Sequence, residues 1–209
     1  MEAFRPAGGG GASARFDAPE AVLLRSLIDL VVALLSAPET GEPEPGGLDA
    51  GGLDFNALPG AGERDDPDAG APGAAELDAM LGFGEPVSPP EDPALARLLP
   101  DAYRDDPDAA GEFRRYTEQS LRSAKQETAR TVLETLPAGG GPVELSGDQA
   151  QSWLRALNDV RLTLGVRLGV TEEFEDQWAE LDPRDPRSAA LEVYAWLGGV
   201  QESLVQALT

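Results

Sequence analysis

The sequence predicts a mainly α-helical fold: a bundle of about five or six helices around an acidic insert, with a small N-terminal β element as an added option. Three observations carry this. Apolar residues recur at helical spacing in most segments outside residues 37–92. Ser, Thr or Asp precedes each periodic run as a candidate N-cap, usually with Pro in the first turn or an acid or amide three residues on. Residues 37–92 break the pattern, being rich in Gly, Pro and acids.

The elements follow in order. Ala3-Phe4-Arg5 and Ala14-Arg15-Phe16 flank the glycine run Gly8–Gly11 and suit two short strands; ordinary coil is the alternative. Asp17, Pro19 and Glu20 form a capping box. Leu24, Leu27, Ile28, Val31 and Leu35 then make an inward stripe, widened by Leu23, Leu30, Val32 and Leu34, which makes this helix central. That broad face fits either a monomer core or a homo-oligomer contact. Asp92-Pro93 opens a short helix ending near Leu99-Pro100. Asp106-Pro107 opens a long one, which Leu136-Pro137 ends. Its inward face is expected at Phe113, Tyr116, Ser120, Ala124, Thr128 and Val132, with mixed charge, including Glu118 and Arg122, outside.

Val143-Glu144-Leu145 is a candidate third strand. Ser146 and Gln149 form a second capping box, followed by Trp153, Leu157, Val160, Leu164 and Leu168 up to Gly169. Thr171 caps a shorter helix with Phe174, Trp178 and Leu181 on one side. Asp185-Pro186 starts the last helix, with Val193, Leu197, Val200, Leu204 and Leu208 inward and a kink expected at Gly198-Gly199.

The domain reading is one folded helical unit, 1–36 with 93–209, and a disordered insert, 37–92. The insert holds 14 acidic residues against Arg64 alone, and one-signed charge with few apolar residues cannot offset the entropy of ordering. Its repeat GGLDA (46–50), GGLDF (51–55) and the related LDAML (77–81) read either as docking motifs or as low-complexity slippage, the latter favoured.

The composition excludes most chemistry. The 209 residues include no Cys and no His, so thiolate catalysis, disulfides, Cys/His zinc sites and the usual general base are absent. The glycine runs lack the Lys-Ser/Thr context of a phosphate loop. Asp105, Asp106 and Asp108, like Glu172, Glu173, Glu175 and Asp176, suit helix starts, not calcium loops. The expectation is no enzyme, no cofactor and no metal. The N-terminus lacks the plan of a signal peptide, and the longest apolar run, Ala21–Leu35, contains Arg25 and Asp29, while a membrane span takes about 20 uncharged residues. A cytoplasmic protein without membrane contact is expected.

Function then falls to partner contacts. A net charge of −22 repels nucleic acid, and Arg104–Arg130 balances six cationic against six anionic residues, so direct DNA binding is disfavoured. The candidate partner-binding residues are Arg114, Arg115 and Arg122 on the long helix and Arg155, Asn158, Asp159 and Arg161 on the next, with intramolecular ion pairing as the first reading of the arginines. Asn158 and Asp159 are mediocre helix formers and read first as a satisfied polar pair at a helix contact.

The strings LLPDAYRDD (98–106), EFRRYTE (112–118), WLRALNDVRLTLGVRLGVTEE (153–173) and AVLLRSLIDLVVALL (21–35) resemble the actinobacterial oxidative stress transcriptional regulator AosR family. Fifteen Arg against one Lys fits a GC-rich genome of that kind. The resemblance implies a non-enzymatic regulator acting with RNA polymerase and an alternative sigma factor on stress genes. It also implies a setting near a Clp protease adaptor, which gives the alternative reading, an interaction protein in Clp-linked proteolysis. A thiol sensor would require cysteine, which this chain lacks.

Overall fold

A computed structural model of the chain describes residues 2–37, 88–103, 105–171, 178, 185 and 187–209. Among them are five helices and one three-stranded antiparallel sheet. The strands are β1 (Glu2–Ala7), β2 (Gly11–Phe16) and β3 (Gly141–Leu145), in the order β1-β2-β3. The helices are α1 (Ala18–Ser36), α2 (Pro93–Leu98), α3 (Pro107–Thr135), α4 (Gly147–Leu168) and α5 (Arg187–Leu208).

The sheet resolves the choice between strand and coil, and it extends each expected strand. Gly8–Gly10 turn the chain between β1 and β2 in a short 3-10 segment, with Gly9 and Gly10 at positive φ. Gly11 follows where β2 meets β3: a Cβ there would stand 2.1 Å from the Leu145 carbonyl oxygen, so only glycine fits. Phe4 and Phe16 point inward and meet Trp153 of α4, with ring centroids 5.7 to 6.1 Å apart. Trp153 is fully buried, and its indole N–H donates to Thr135 Oγ1 at 2.7 Å. The sheet thus closes one side of the core formed by α1, α3, α4 and α5.

The caps stand where the sequence puts them. Asp17 with Glu20, and Ser146 with Gln149, complete both capping boxes. Asp92 and Asp106 each accept from the first turn of their helix, and the Asp185 carboxylate accepts from the Arg187 N–H at 2.8 Å. The α1 stripe is buried, Leu27 partly so, although Leu30 is exposed and the helix is central on one side only. The α5 helix is continuous through Gly198-Gly199.

Long-range polar contacts fix the helix directions. Arg25 of α1 donates to the carbonyls of Leu133 and Leu136 at the end of α3, while Arg122 of α3 donates to the Leu35 carbonyl at the end of α1. Each arginine satisfies carbonyls that a helix C-terminus leaves open. The two helices therefore run antiparallel. Lys125 with Asp159, and Thr135 with Trp153, set α3 against α4 in the same sense. Arg161 with Gln201, and Gly165 against the Tyr194 ring, do so for α4 and α5.

The face of α3 differs from expectation. Phe113 is 44% and Tyr116 60% exposed, and Ser120 and Ala124 also face outward. Val132 is buried as expected, but Ala110, Arg114, Glu118 and Ala129 are buried in place of the others, and Arg122 and Lys125 are largely covered. Charge went inward because each buried ion meets a partner of opposite sign or a helix-end carbonyl. The short helix expected after Thr171, and residues 38–87 of the expected insert with its repeat, lie outside the described residues.

Candidate partner-binding site

The spacing 114, 118, 122, 125 places four charged side chains on one face of α3. Arg114 pairs with Asp101 in the segment before the helix, and its Nε lies 3.6 Å from Glu118 Oε2. Arg122 holds Glu118 Oε1 through Nε at 2.8 Å and Nη2 at 2.5 Å. Lys125 reaches Asp159 Oδ1 at 2.7 Å. One ladder thus ties α3 to residues 99–103, to the end of α1 and to α4. Burial raises the Asp159 carboxyl above the usual carboxylate range, and the Lys125 ammonium opposes that rise.

The seven candidates divide by environment. Arg114, Arg122 and Asp159 belong to the ladder. Arg161 donates to Gln201 at 2.7 Å and lies over the Tyr194 ring at 5.4 Å from its centroid; its Nε is buried with no hydrogen-bond partner among the described residues. Arg115 is half-buried, donates to the Tyr116 hydroxyl at 2.6 Å and covers that ring. Asn158 and Arg155 are exposed on α4. Asn158 and Asp159 thus point to different environments, one to solvent and one to Lys125, and do not form the joint polar pair expected of them.

The candidates do not converge on one spot. The Lys125–Asp159 and Thr135–Trp153 contacts put Arg155 level with residues 125–135 of α3. Arg115 lies 10 to 20 positions further toward the start of that helix, about 15 to 30 Å along the axis.

A concave feature lies nearer the start of α3. The segment 99–102 and the first four turns of α3 enclose a recess of about 190 Å³, lined by Leu99, Ala110, Phe113, Arg114, Glu118 and Leu121 among others. Tyr103 packs edge-on against Phe113 with centroids 5.9 Å apart. Sequence reading missed it, since assigning Phe113 to the core hid the fact that Phe113 and Leu121 line it while remaining exposed. Four-residue spacing of Arg114, Glu118 and Arg122, each with an available counter-charge, was the signal for a buried polar face. Among the described residues no group of three or more acids stands close enough to hold a metal, and no helix is long and apolar enough to cross a membrane.

A sequence profile described as "Domain of unknown function (DUF2017)" matches residues 1–208. The chain belongs to the DUF2017 family. The chain is similar to "Oxidative stress regulator AosR" from Mycobacterium tuberculosis, 36% identical over 158 residues covering 69% of this chain and 71% of the relative. The protein of the same name from Mycobacterium bovis matches with the same identity and coverage. A Mycobacterium leprae relative is 37% identical over 132 residues, 57% of this chain and 59% of its own length. No solved structure matches this DUF2017 chain.

Proposed function

We propose that this DUF2017 protein is a non-enzymatic regulator of the oxidative stress response that acts in the cytoplasm through contacts with RNA polymerase and a sigma factor. The observation that carries the reading is the 36% identity, across about seventy per cent of both chains, to proteins named oxidative stress regulator AosR. The absence of His and Cys supports a regulator over an enzyme, since no nucleophile–base pair can be assembled from the usual residues. The same absence excludes a thiol switch within this chain.

Arg155 and Asn158, exposed on α4, are the partner-facing members of the candidate set, whereas Arg114, Arg122, Asp159 and Arg161 are engaged in holding helices together. Intramolecular pairing of Arg114, Arg122, Lys125 and Arg130 with carboxylates leaves little cationic surface for DNA and favours a protein partner.

The test uses a C-terminal tag in the native host, before and after peroxide. Co-purification of RNA polymerase with a sigma factor is the expected result, together with loss of the peroxide-induced transcripts in a deletion strain. Recovery of Clp components without polymerase would replace this reading with the proteolytic one.

A further inference from the structure

The short helix α2 is held differently from the others. Among the described elements, α1, α3, α4 and α5 each pack against at least two neighbours, whereas α2 packs chiefly against α4. It has six residues, and a helix that short is marginal by itself in water. Irregular chain flanks it at 88–91 and 99–103. One apolar side seats it: Ala94, Leu95 and Leu98, followed by Leu99, are buried.

Polar contacts pin both ends. Asp92 has two tasks at once. Its Oδ1 accepts from the Ala94 and Leu95 N–H groups and so starts the helix, while its Oδ2 pairs with Arg167 in the last turn of α4. Asp101, beyond the other end, pairs with Arg114. Arg167 is 49% exposed, so water competes for its bond to Asp92. Losing the Asp92 carboxylate removes the cap of α2 and its tie to α4 together. Formation of this helix is therefore coupled to its docking.

We propose that residues 92–101 are a strap that opens as one unit while α1, α3, α4, α5 and the sheet stay folded, with Asp92 as its latch. Segments with few buried contacts open more often than the core around them. Opening frees Leu95, Leu98 and Leu99 and bares the side of α4 that they cover. The strap thus sets how much apolar surface the chain presents, and it does so without a thiol or an imidazole, neither of which this chain has.

Native-state hydrogen exchange on the full chain tests this. The Ala96 and Leu99 amides, which donate within the strap, should be about tenfold or more less protected than those of Leu157 and Val160 in α4. Arg167→Gln, which leaves the cap, should speed exchange at Ala96 and Leu99 about threefold; Asp92→Ala, which removes cap and pair, should speed it about tenfold. Trp153→Phe weakens the core about 20 Å along α4 from Arg167. It should speed exchange at Leu157 and Val160 and leave Ala96 and Leu99 unchanged, because the strap opens with Trp153 still packed. Equal protection of the two groups in the unaltered chain would show that α2 opens only with the whole protein and would overturn the proposal. Strap amides that accelerate with Trp153→Phe as much as the core would do the same. Strap exchange unaffected by both Arg167→Gln and Asp92→Ala would remove the latch and overturn it as well.

Discussion

Lys125→Met should destabilise the protein, by an amount set by pH. The substitution keeps most of the aliphatic stem and deletes the ammonium that Asp159 faces at 2.7 Å. The Asp159 side chain is 5% exposed and has little access to water as a replacement. Removing one partner of a buried ion pair costs about 3 to 5 kcal/mol. Protonation limits that cost, since a stranded carboxylate can take up a proton instead of staying charged. From an ordinary value of 3.8, at roughly 1.4 kcal/mol per pH unit, the limit is about 4 kcal/mol at pH 7 and about 2 kcal/mol at pH 5. Lys125 is itself 19% exposed, so the pair is partly solvated. The expected loss is about 3 kcal/mol at pH 7, falling below about 2 at pH 5. Urea unfolding of both proteins at the two pH values measures it. Lys125→Met with Asp159→Leu should recover most of the loss, because two apolar groups leave no charge stranded. A loss below about 0.5 kcal/mol at pH 7, or an equal loss at both pH values, would refute the argument.

Three other outcomes are expected. Asp159 has its carboxyl raised by burial, so its contribution is fully present below the unfolded value of 3.8 and is lost as pH rises through the higher folded value; wild type should therefore gain stability relative to Asp159→Asn on acidification, read as a Tm difference larger at pH 3.5 than at pH 7. Trp153→Phe should cost about 1 to 3 kcal/mol in urea unfolding, from the lost bond to Thr135 and the smaller ring in a site with no solvent exposure. Gly140→Ala should cost more than about 1 kcal/mol, since φ is +74° and a Cβ would lie 2.6 Å from the Asp17 backbone.

Local signals were the legible part of this fold. Capping boxes at Asp17 and Ser146, and Pro after Asp92 and Asp106, locate helix starts because they meet a need of the helix itself. Short triplets around Phe4 and Phe16, on either side of the glycine run, and at Val143 were enough to suggest strands, but pairing is a non-local event that short segments do not specify. The face of α3 was misread for a different reason. Apolar periodicity assumes that charge stays in water. Glu118 and Arg122 violate this because Arg114 and the Leu35 carbonyl complete their pairing, and both the Leu35 carbonyl and the Asp101 that holds Arg114 come from outside the helix. Of the candidate site, the arginines were located but their engagement was not, and the recess depends on how residues 99–102 fold back onto α3.

Two arginines give the core a property that no single helix has. Arg122 grips the Leu35 carbonyl at 2.9 Å, the last turn before residues 38–87, and Arg167 grips Asp92, which caps the first helix after them. Both anchors come from the folded core, so departure and return points of the chain are set independently of what connects them. The ends of α1 and α2 are thus held by side chains of α3 and α4, so replacing either arginine should loosen one of these ends and leave the other fixed.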